Sequence, residues 1–163
     1  MNPAQIRKDL AYFGEFGRKG IGYDVSYLIE KIKQILKLDR FLKIGLVGAG
    51  HLGIAISNYN QYIKENFSIR AIFDTDPQKV GQKIGSAEVF HLDDLQREIE
   101  AKGIQMGIIT VPAQEAQKVA DRLIDAGIRA ILNFAPVNLK VPPNVYLRNA
   151  DLTTELQSLA YYL

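Results

Sequence analysis

The residue types and spacing best suited to chemistry lie between Leu42 and Gly53, which reads Leu-Lys-Ile-Gly-Leu-Val-Gly-Ala-Gly-His-Leu-Gly. An apolar run enters a Gly-x-Gly-x-x-Gly loop whose three glycines have separate tasks. Gly48 permits a tight turn, Gly50 lets the backbone approach a pyrophosphate, and Gly53 lets the following helix pack close to a sheet. A helix opening at such a loop presents free N–H groups and the positive end of its dipole to an anion. Asp74 stands twenty-one positions after Gly53, at the end of a second apolar run, Ile69 to Phe73. A carboxylate there accepts hydrogen bonds from a ribose diol and repels a 2′-phosphate, so the pattern points to NAD(H) rather than NADP(H). Gly48, Ala49, Gly50, His51, Leu52, Gly53 and Asp74 are the candidate cofactor residues. A glycine-rich turn in some other α/β protein is the plainer alternative.

The elements that must position this loop follow from periodicity. After it, Leu52, Ala55, Ile56, Tyr59 and Ile63 recur on one side of a helix and are expected to bury against the sheet. Asp76-Pro77 is expected to start a short helix through Val80, Val89 to Leu92 a minor strand, and Asp93 to cap a helix from Leu95 to Lys102 that stops at Gly103. Met106 to Val111 has the continuous apolar character of a buried parallel strand. A helix over Glu115 to Ala126, a strand over Arg129 to Phe134 and a short strand over Val145 to Leu147 follow. Strand and helix alternate, which predicts an α/β fold with a doubly wound parallel sheet of Rossmann type. Ligands on such sheets sit beyond the carboxyl ends of the strands. That rule makes Thr110, Val111, Pro112, Asn133 and Phe134 the candidate walls of a nicotinamide pocket.

Composition narrows the remaining chemistry. The chain has 163 residues, 47% of them hydrophobic, enough for one core and a small appendage. It contains no cysteine, which excludes disulfides, thiolate metal sites and a cysteine nucleophile. No signal-peptide pattern or membrane-spanning run is present, so a cytoplasmic protein without membrane partners is expected. The two histidines, His51 in the loop and His91 at the end of a minor strand, fit no triad or metal-ligand spacing. Catalytic and metal residues are therefore both read as none. A nucleotide site with no acid or base beside it suits a sensor better than an enzyme. Two alternatives stay open: an NAD(H)-dependent oxidoreductase subunit whose catalytic partner is another chain, and a Rossmann domain binding coenzyme A.

Net charge hides an asymmetry. Residues 1–43 carry nine Lys/Arg and five Asp/Glu, whereas residues 44–163 carry eleven and thirteen. A basic start suits a polyanion, and an ordinary solvated face fits equally well. Asn2-Pro3 is a helix-start signal, with Ile6, Leu10 and Phe13 at helical spacing and Gln5, Arg7, Lys8 and Tyr12 on the polar side. Gly14 to Tyr23 places four glycines around Arg18-Lys19, which suits a basic hairpin. Helix and hairpin together read as the second half of a winged helix-turn-helix; a frayed terminus with a basic loop is the alternative. Val25 to Leu38 has the apolar stripe of an amphipathic helix, expected to pack against one module or the other.

Gln5 to Gly14, followed by Phe16-Gly17-Arg18-Lys19-Gly20-Ile21-Gly22-Tyr23, closely resembles the recognition helix and wing of the Rex family of redox-sensing transcriptional repressors. The resemblance continues through Gly48 to Gly53, Phe73-Asp74-Thr75-Asp76-Pro77, Thr110-Val111-Pro112, Asn133-Phe134-Ala135-Pro136 and Asp151-Leu152. It implies a homodimer that binds operator DNA and is released when NADH binds, thereby reading the NADH/NAD+ ratio. It implies DNA contacts from Gln5, Arg7, Lys8, Tyr12, Arg18 and Lys19, and switch roles for Tyr59 and Asp151. The corresponding division is 1–23 as the remnant of a winged-helix DNA-binding domain, 24–40 as a linker helix, 41–150 as the NAD(H)-binding Rossmann domain and 151–163 as the start of a dimerisation helix. Compared with the family pattern the winged domain is partial here, so weak or lost operator binding is expected of this shortened chain. The last stretch, with Leu152, Leu156 and Leu159 at helical spacing, is expected to need a second subunit to cover it.

Overall fold

A computed structural model of the chain describes Lys8 and residues 17–18, 22–35, 41–60 and 66–162. It divides into two units, residues 1–41 and 42–163.

Gly17–Arg18 (β1) and Gly22–Tyr23 (β2) pair antiparallel in the first unit, with Gly17 opposite Tyr23 and Arg18 opposite Gly22. The expected hairpin is therefore present. Val25–Ile35 (α1) follows, and the Asp24 carboxylate accepts a hydrogen bond from the Tyr27 amide at 3.1 Å, as an N-cap does. None of the described residues of this helix is fully buried; Leu28 and Ile32 of the expected stripe are half-buried, and Val25 and Ile29 are exposed. Its expected last turn, 36–38, lies outside the described residues, as do Gln5, Arg7, Tyr12 and Lys19. Lys8 is helical and exposed.

The second unit is built on Leu42–Val47 (β3), which pairs on both sides and buries its last four residues. A seven-stranded sheet surrounds it, formed with Phe67–Asp74 (β4), Lys83–Ile84 (β5), Ala87–His91 (β6), Met106–Ile109 (β7), Ala130–Asn133 (β8) and Tyr146–Asn149 (β9). The order is β5-β6-β4-β3-β7-β8-β9. Six strands are parallel, as expected of the doubly wound sheet, and β5, a two-residue strand the periodicity did not anticipate, runs antiparallel to β6. Such an antiparallel edge is common on doubly wound sheets, and here it is a short hairpin closed at Gly85. The chain leaves β3 for β4 on one side and later returns to β7 on the other. The crevice beyond the carboxyl ends of the neighbouring strands β3 and β7 is therefore the topological switch point, where the parallel-sheet rule puts ligands.

Helices His51–Asn60 (α2), Leu95–Lys102 (α3) and Ala113–Asp125 (α4) make the crossovers, and Leu152–Ala160 (α5) follows the last strand. Among the described residues, Phe73, Ile109, Val119 and Leu123 belong to a cluster of sixteen buried residues, and Leu46, Ile72 and Ile108 to a second cluster of eight. α2 is turned away from its expected orientation. Gly53 and Ser57 are its buried residues and Ile56 is half-buried, while Leu52, Ala55 and Tyr59 are exposed. The buried stripe is offset one position from the expected one, about 100° around a helix of 3.6 residues per turn. Close packing of Gly53 on the loop sets that rotation. Ile63 lies outside the described residues.

Two local expectations also change. Residues 77–80 form turns instead of a helix. Asp74 accepts from the Asp76 amide at 2.9 Å and Asp76 accepts from the Gln78 amide at 2.9 Å, and such carboxylate-to-backbone bonds compete with helix formation. Asp93 caps nothing: Leu92–Asp94 is a 3-10 turn capped by His91, whose Nδ1 accepts from the Asp93 amide at 3.3 Å.

Candidate functional site

The glycine loop is held by backbone geometry before any side chain enters. Gly48 has φ of +107°, donates to the Phe73 carbonyl at 2.8 Å, and lies so close to β7 that an added Cβ would sit 2.8 Å from the Thr110 carbonyl oxygen. A Cβ on Gly53 would fall onto the carbonyl oxygen of Gly48. Gly50 is different, because a Cβ there would meet nothing within 4 Å. Two glycines thus serve the fold and one leaves open space, which is the division of tasks that close approach by a pyrophosphate requires. The Gly50 carbonyl accepts from the Ile54 amide at 2.9 Å, so the first-turn N–H groups of α2, from His51 onward, have no helical acceptors.

Thr110 clamps the loop from β7. Its hydroxyl lies 3.0 Å from the Val47 carbonyl and 2.8 Å from that of Gly48. Asp74 secures the other side. One carboxylate oxygen accepts from the Ala49 amide at 2.8 Å and from Lys79 Nζ at 3.1 Å, and the other accepts from the Asp76 amide. Burial pushes the Asp74 carboxyl up, but the hydrogen bonds from Asp76, Lys79 and Ala49 outweigh it and hold the group below its ordinary value. Asp74 is therefore charged at neutral pH, with three hydrogen bonds accepted out of the roughly four a carboxylate can take.

Thr110, Val111 and Pro112 meet Gly48, Gly50 and Asp74 around a cavity of about 290 Å3 at the switch point. A second cavity of about 570 Å3 lies among Leu52, Phe134 to Asn138, Asn149 to Asp151 and Thr153. The expected single nicotinamide wall is thus split: Thr110, Val111 and Pro112 line the first cavity and Phe134 the second. Asn133 lines neither. It is fully buried, its Nδ2 donating to the carbonyls of Ala135 and Val137 and to Asn149 Oδ1 at 3.0 to 3.1 Å, while its Oδ1 accepts from the Ala135 amide. Three bonds to the loop after β8 and one to the end of β9 make it the brace of the second cavity rather than a wall.

His51 and Tyr59 are exposed on α2, and Leu52 belongs to the second cavity instead of the loop's own. Asp151 caps α5, accepting from the Thr153 amide at 2.9 Å and from the Thr154 hydroxyl at 2.8 Å. The Thr154 bond and then the Thr153 amide hold its carboxyl below the ordinary value. Periodicity missed Lys79, Leu92, Glu115 and Val119, which complete the first cavity. A cation five residues after the strand-end acid was the available signal for Lys79. Among the described residues no group of three or more His, Asp or Glu could hold a metal, and no helix is long and apolar enough to cross a membrane.

Residues 39–137 match the family model described as the CoA binding domain. A redox-sensing transcriptional repressor Rex of Brevibacillus brevis is 57% identical over the whole of this chain and 79% of its own length. The chain belongs to the Rex family. Rex proteins are transcriptional repressors rather than enzymes, which sets aside the reading as an oxidoreductase subunit. Among solved Rex-family structures, RSP in complex with β-NAD+ and operator DNA is 41% identical with a TM-score of 0.85, covering 99% of this chain and 75% of its own. RSP in complex with β-NADH is 40% identical with a TM-score of 0.79, covering 98% and 74%. The Rex likeness extends over essentially the whole chain, including the N-terminal residues that the first unit contains.

Proposed function

We propose that this chain is a redox-sensing repressor that binds operator DNA as a homodimer and leaves it when NADH is bound. The observation that carries the reading is the switch-point cavity. There an open Gly50, the free N–H groups of α2 and a charged Asp74 meet, with groups for a pyrophosphate and a ribose side by side. These residues fit a dinucleotide, which supplies no reaction here and acts as a reporter of reducing state.

In this reading the adenosine half occupies the 290 Å3 cavity beside Asp74 and Thr110 to Pro112, and the nicotinamide extends past Leu52 toward Phe134 and Asp151. The second cavity is bounded by the start of α5 and by α2, so occupancy there bears on both helices. Leu156 and Leu159 of α5 are exposed in the single chain, as are Leu52 and Tyr59 of α2, and a second subunit would cover such apolar surface. Tyr59 and Asp151 are the switch residues in this scheme. Residues 1–23 form the DNA-binding portion, with Gln5, Arg7, Lys8 and Tyr12 at base edges and phosphates and Arg18 and Lys19 on the wing. Residues 24–40 link it to the Rossmann domain over 41–150, residues 151–163 begin the dimer helix, and the protein works in the cytoplasm.

Linkage gives the test. If NADH weakens operator binding by some factor, operator DNA must weaken NADH binding by the same factor. Fluorescence titration with NADH, repeated with saturating operator duplex, should show that reciprocity, together with weaker binding of NADPH and no turnover of NADH. Equal NADH affinity with and without bound operator, or steady NADH oxidation, would overturn the proposal.

A further inference from the structure

The loop after β8 walls the second cavity with three exposed residues, Pro136, Val137 and Asn138, which form an arch with a foot on either side. The two feet are held by different means. On the near side Asn133 bonds to both backbone groups of Ala135 and to the Val137 carbonyl. On the far side Leu139 is buried in the larger core cluster, and among the described residues no backbone hydrogen bond reaches residues 138–141. A side chain holds the Lys140 backbone instead.

That side chain is Gln117, on α4. Its Oε1 accepts from the Lys140 amide at 2.9 Å and its Nε2 donates to the Lys140 carbonyl at 3.0 Å, so one side-chain amide takes the place of a strand partner. Nε2 also donates to Asp121 Oδ1, one turn further along the helix, at 2.9 Å. This third bond fixes which way round the amide lies. Turned over, the Gln117 oxygen would face both the Asp121 carboxylate and the Lys140 carbonyl, acceptor against acceptor. Gln117 is half-buried and lines neither cavity, and the exposed Lys140 ammonium takes no part in the pair.

We propose that Gln117 is a positioning residue for the nicotinamide end of the cofactor: by clamping the Lys140 backbone to α4 it sets the far foot of the arch that walls the second cavity. This inference deepens the proposed function and rests on it. NADH and NAD+ share their ADP-ribose portion and differ only at the nicotinamide ring, so preference between them comes from the walls that face the ring. A wall fixed in advance discriminates. A wall free to shift yields to either ring, and the preference falls while the hold on the shared portion remains.

The test compares the full wild-type chain with three variants. Gln117→Leu keeps the bulk and removes all three bonds, Asp121→Ala removes the group that orients the amide, and Lys140→Ala leaves the backbone pair intact. NADH is titrated by fluorescence, NAD+ and ADP-ribose by calorimetry, and hydrogen exchange follows the Lys140 amide. Gln117→Leu should weaken NADH by about tenfold, lower the preference for NADH over NAD+ by about fivefold and leave ADP-ribose within about twofold of wild type. Its Lys140 amide should exchange about tenfold faster or more. Asp121→Ala should show a smaller change in the same direction, and it carries the test if the leucine variant fails to fold. Lys140→Ala should bind as wild type does. A folded Gln117→Leu chain that loses stability yet keeps the wild-type preference would show a glutamine that serves the fold alone and would overturn the inference. Equal weakening of NADH, NAD+ and ADP-ribose would overturn it too, as would a loss in Lys140→Ala as large as that in Gln117→Leu. A wild-type chain that binds no NADH would overturn the proposed function, and the inference with it.

Discussion

Two cavities of the second unit, one beside Gly50 and one beside Phe134, are built on different principles. The smaller one, at the switch point, is walled by strand ends and a glycine loop locked to one another: Gly48 to Phe73, Thr110 to Val47 and Gly48, Asp74 to Ala49. The larger one is walled by the loop after β8, the start of α5 and Leu52. It is braced by the buried Asn133 and lies next to a helix whose Leu156 and Leu159 face solvent. In the proposed function, recognition sits where strand ends and loop are locked together by hydrogen bonds, and response at the cavity bordered by exposed apolar helix surface. A sensor needs both, because a rigid site alone gives affinity without a signal, and a ligand shifts an equilibrium only where it discriminates between states.

The sharpest test of the contrast is a pair of glycine substitutions. Gly53→Val should cost about 3 kcal/mol or more of stability, because its Cβ falls on the Gly48 carbonyl, which cannot move without disrupting the loop. Gly50→Ala should leave stability within about 0.5 kcal/mol, since its Cβ enters open space, yet weaken NADH binding by about tenfold. Urea denaturation and fluorescence titration separate the two. A Gly50→Ala chain that binds NADH as the wild type does would show that this space is not the pyrophosphate's.

Asn133→Leu addresses the larger cavity and should cost about 2 to 3 kcal/mol, because it strips the buried Ala135 amide of its acceptor and the Val137 carbonyl and Asn149 side chain of their donor. Hydrogen exchange at the Ala135 amide should speed up while that at Thr110 stays protected. Equal loss of protection at both would mean that the two cavities are one cooperative body.

Acid should distinguish the cavities as well. Because the Asp74 carboxyl is held below its ordinary value, its stabilisation is complete above the carboxylate value of the unfolded chain, about pH 4, and is lost as pH falls through the lower folded value. Thermal melts of wild type and Asp74→Ser should therefore differ at pH 7 and converge as pH falls through the lowered folded-state value. A constant gap across that range would show that the ion pair with Lys79 contributes little. The smallest effect on the single chain is expected at α5. Leu156→Glu with Leu159→Glu should change its stability by no more than about 0.5 kcal/mol per site, since both side chains are exposed, while sedimentation shows the dimer lost.

Some features were legible because they are local. Glycine spacing, the strand-end acid and the apolar runs announce a nucleotide loop, and the turn-prone glycines around Arg18 announce a hairpin. The orientation of α2 was not legible. The stripe of Leu52, Ala55 and Tyr59 is as apolar as a buried face, and the contact of Gly53 with the Gly48 carbonyl, a matter of one van der Waals radius, rotated it outward. Asn133 illustrates the same limit. A polar residue at a strand end beside a cleft reads as a ligand contact, and only the proximity of Ala135, Val137 and Asn149 shows its hydrogen-bonding groups already engaged.

By itself the sequence determined the Rossmann alternation, the glycine loop with Asp74 and the membership of the Rex family, because each depends on residue type at short spacing. Tertiary structure alone decided that Thr110 and Phe134 serve different cavities, that Lys79 joins Asp74, and that the apolar stripe of α2 faces outward. Those outcomes depend on distances between segments far apart in the chain, and on rotations of a helix that no periodicity encodes.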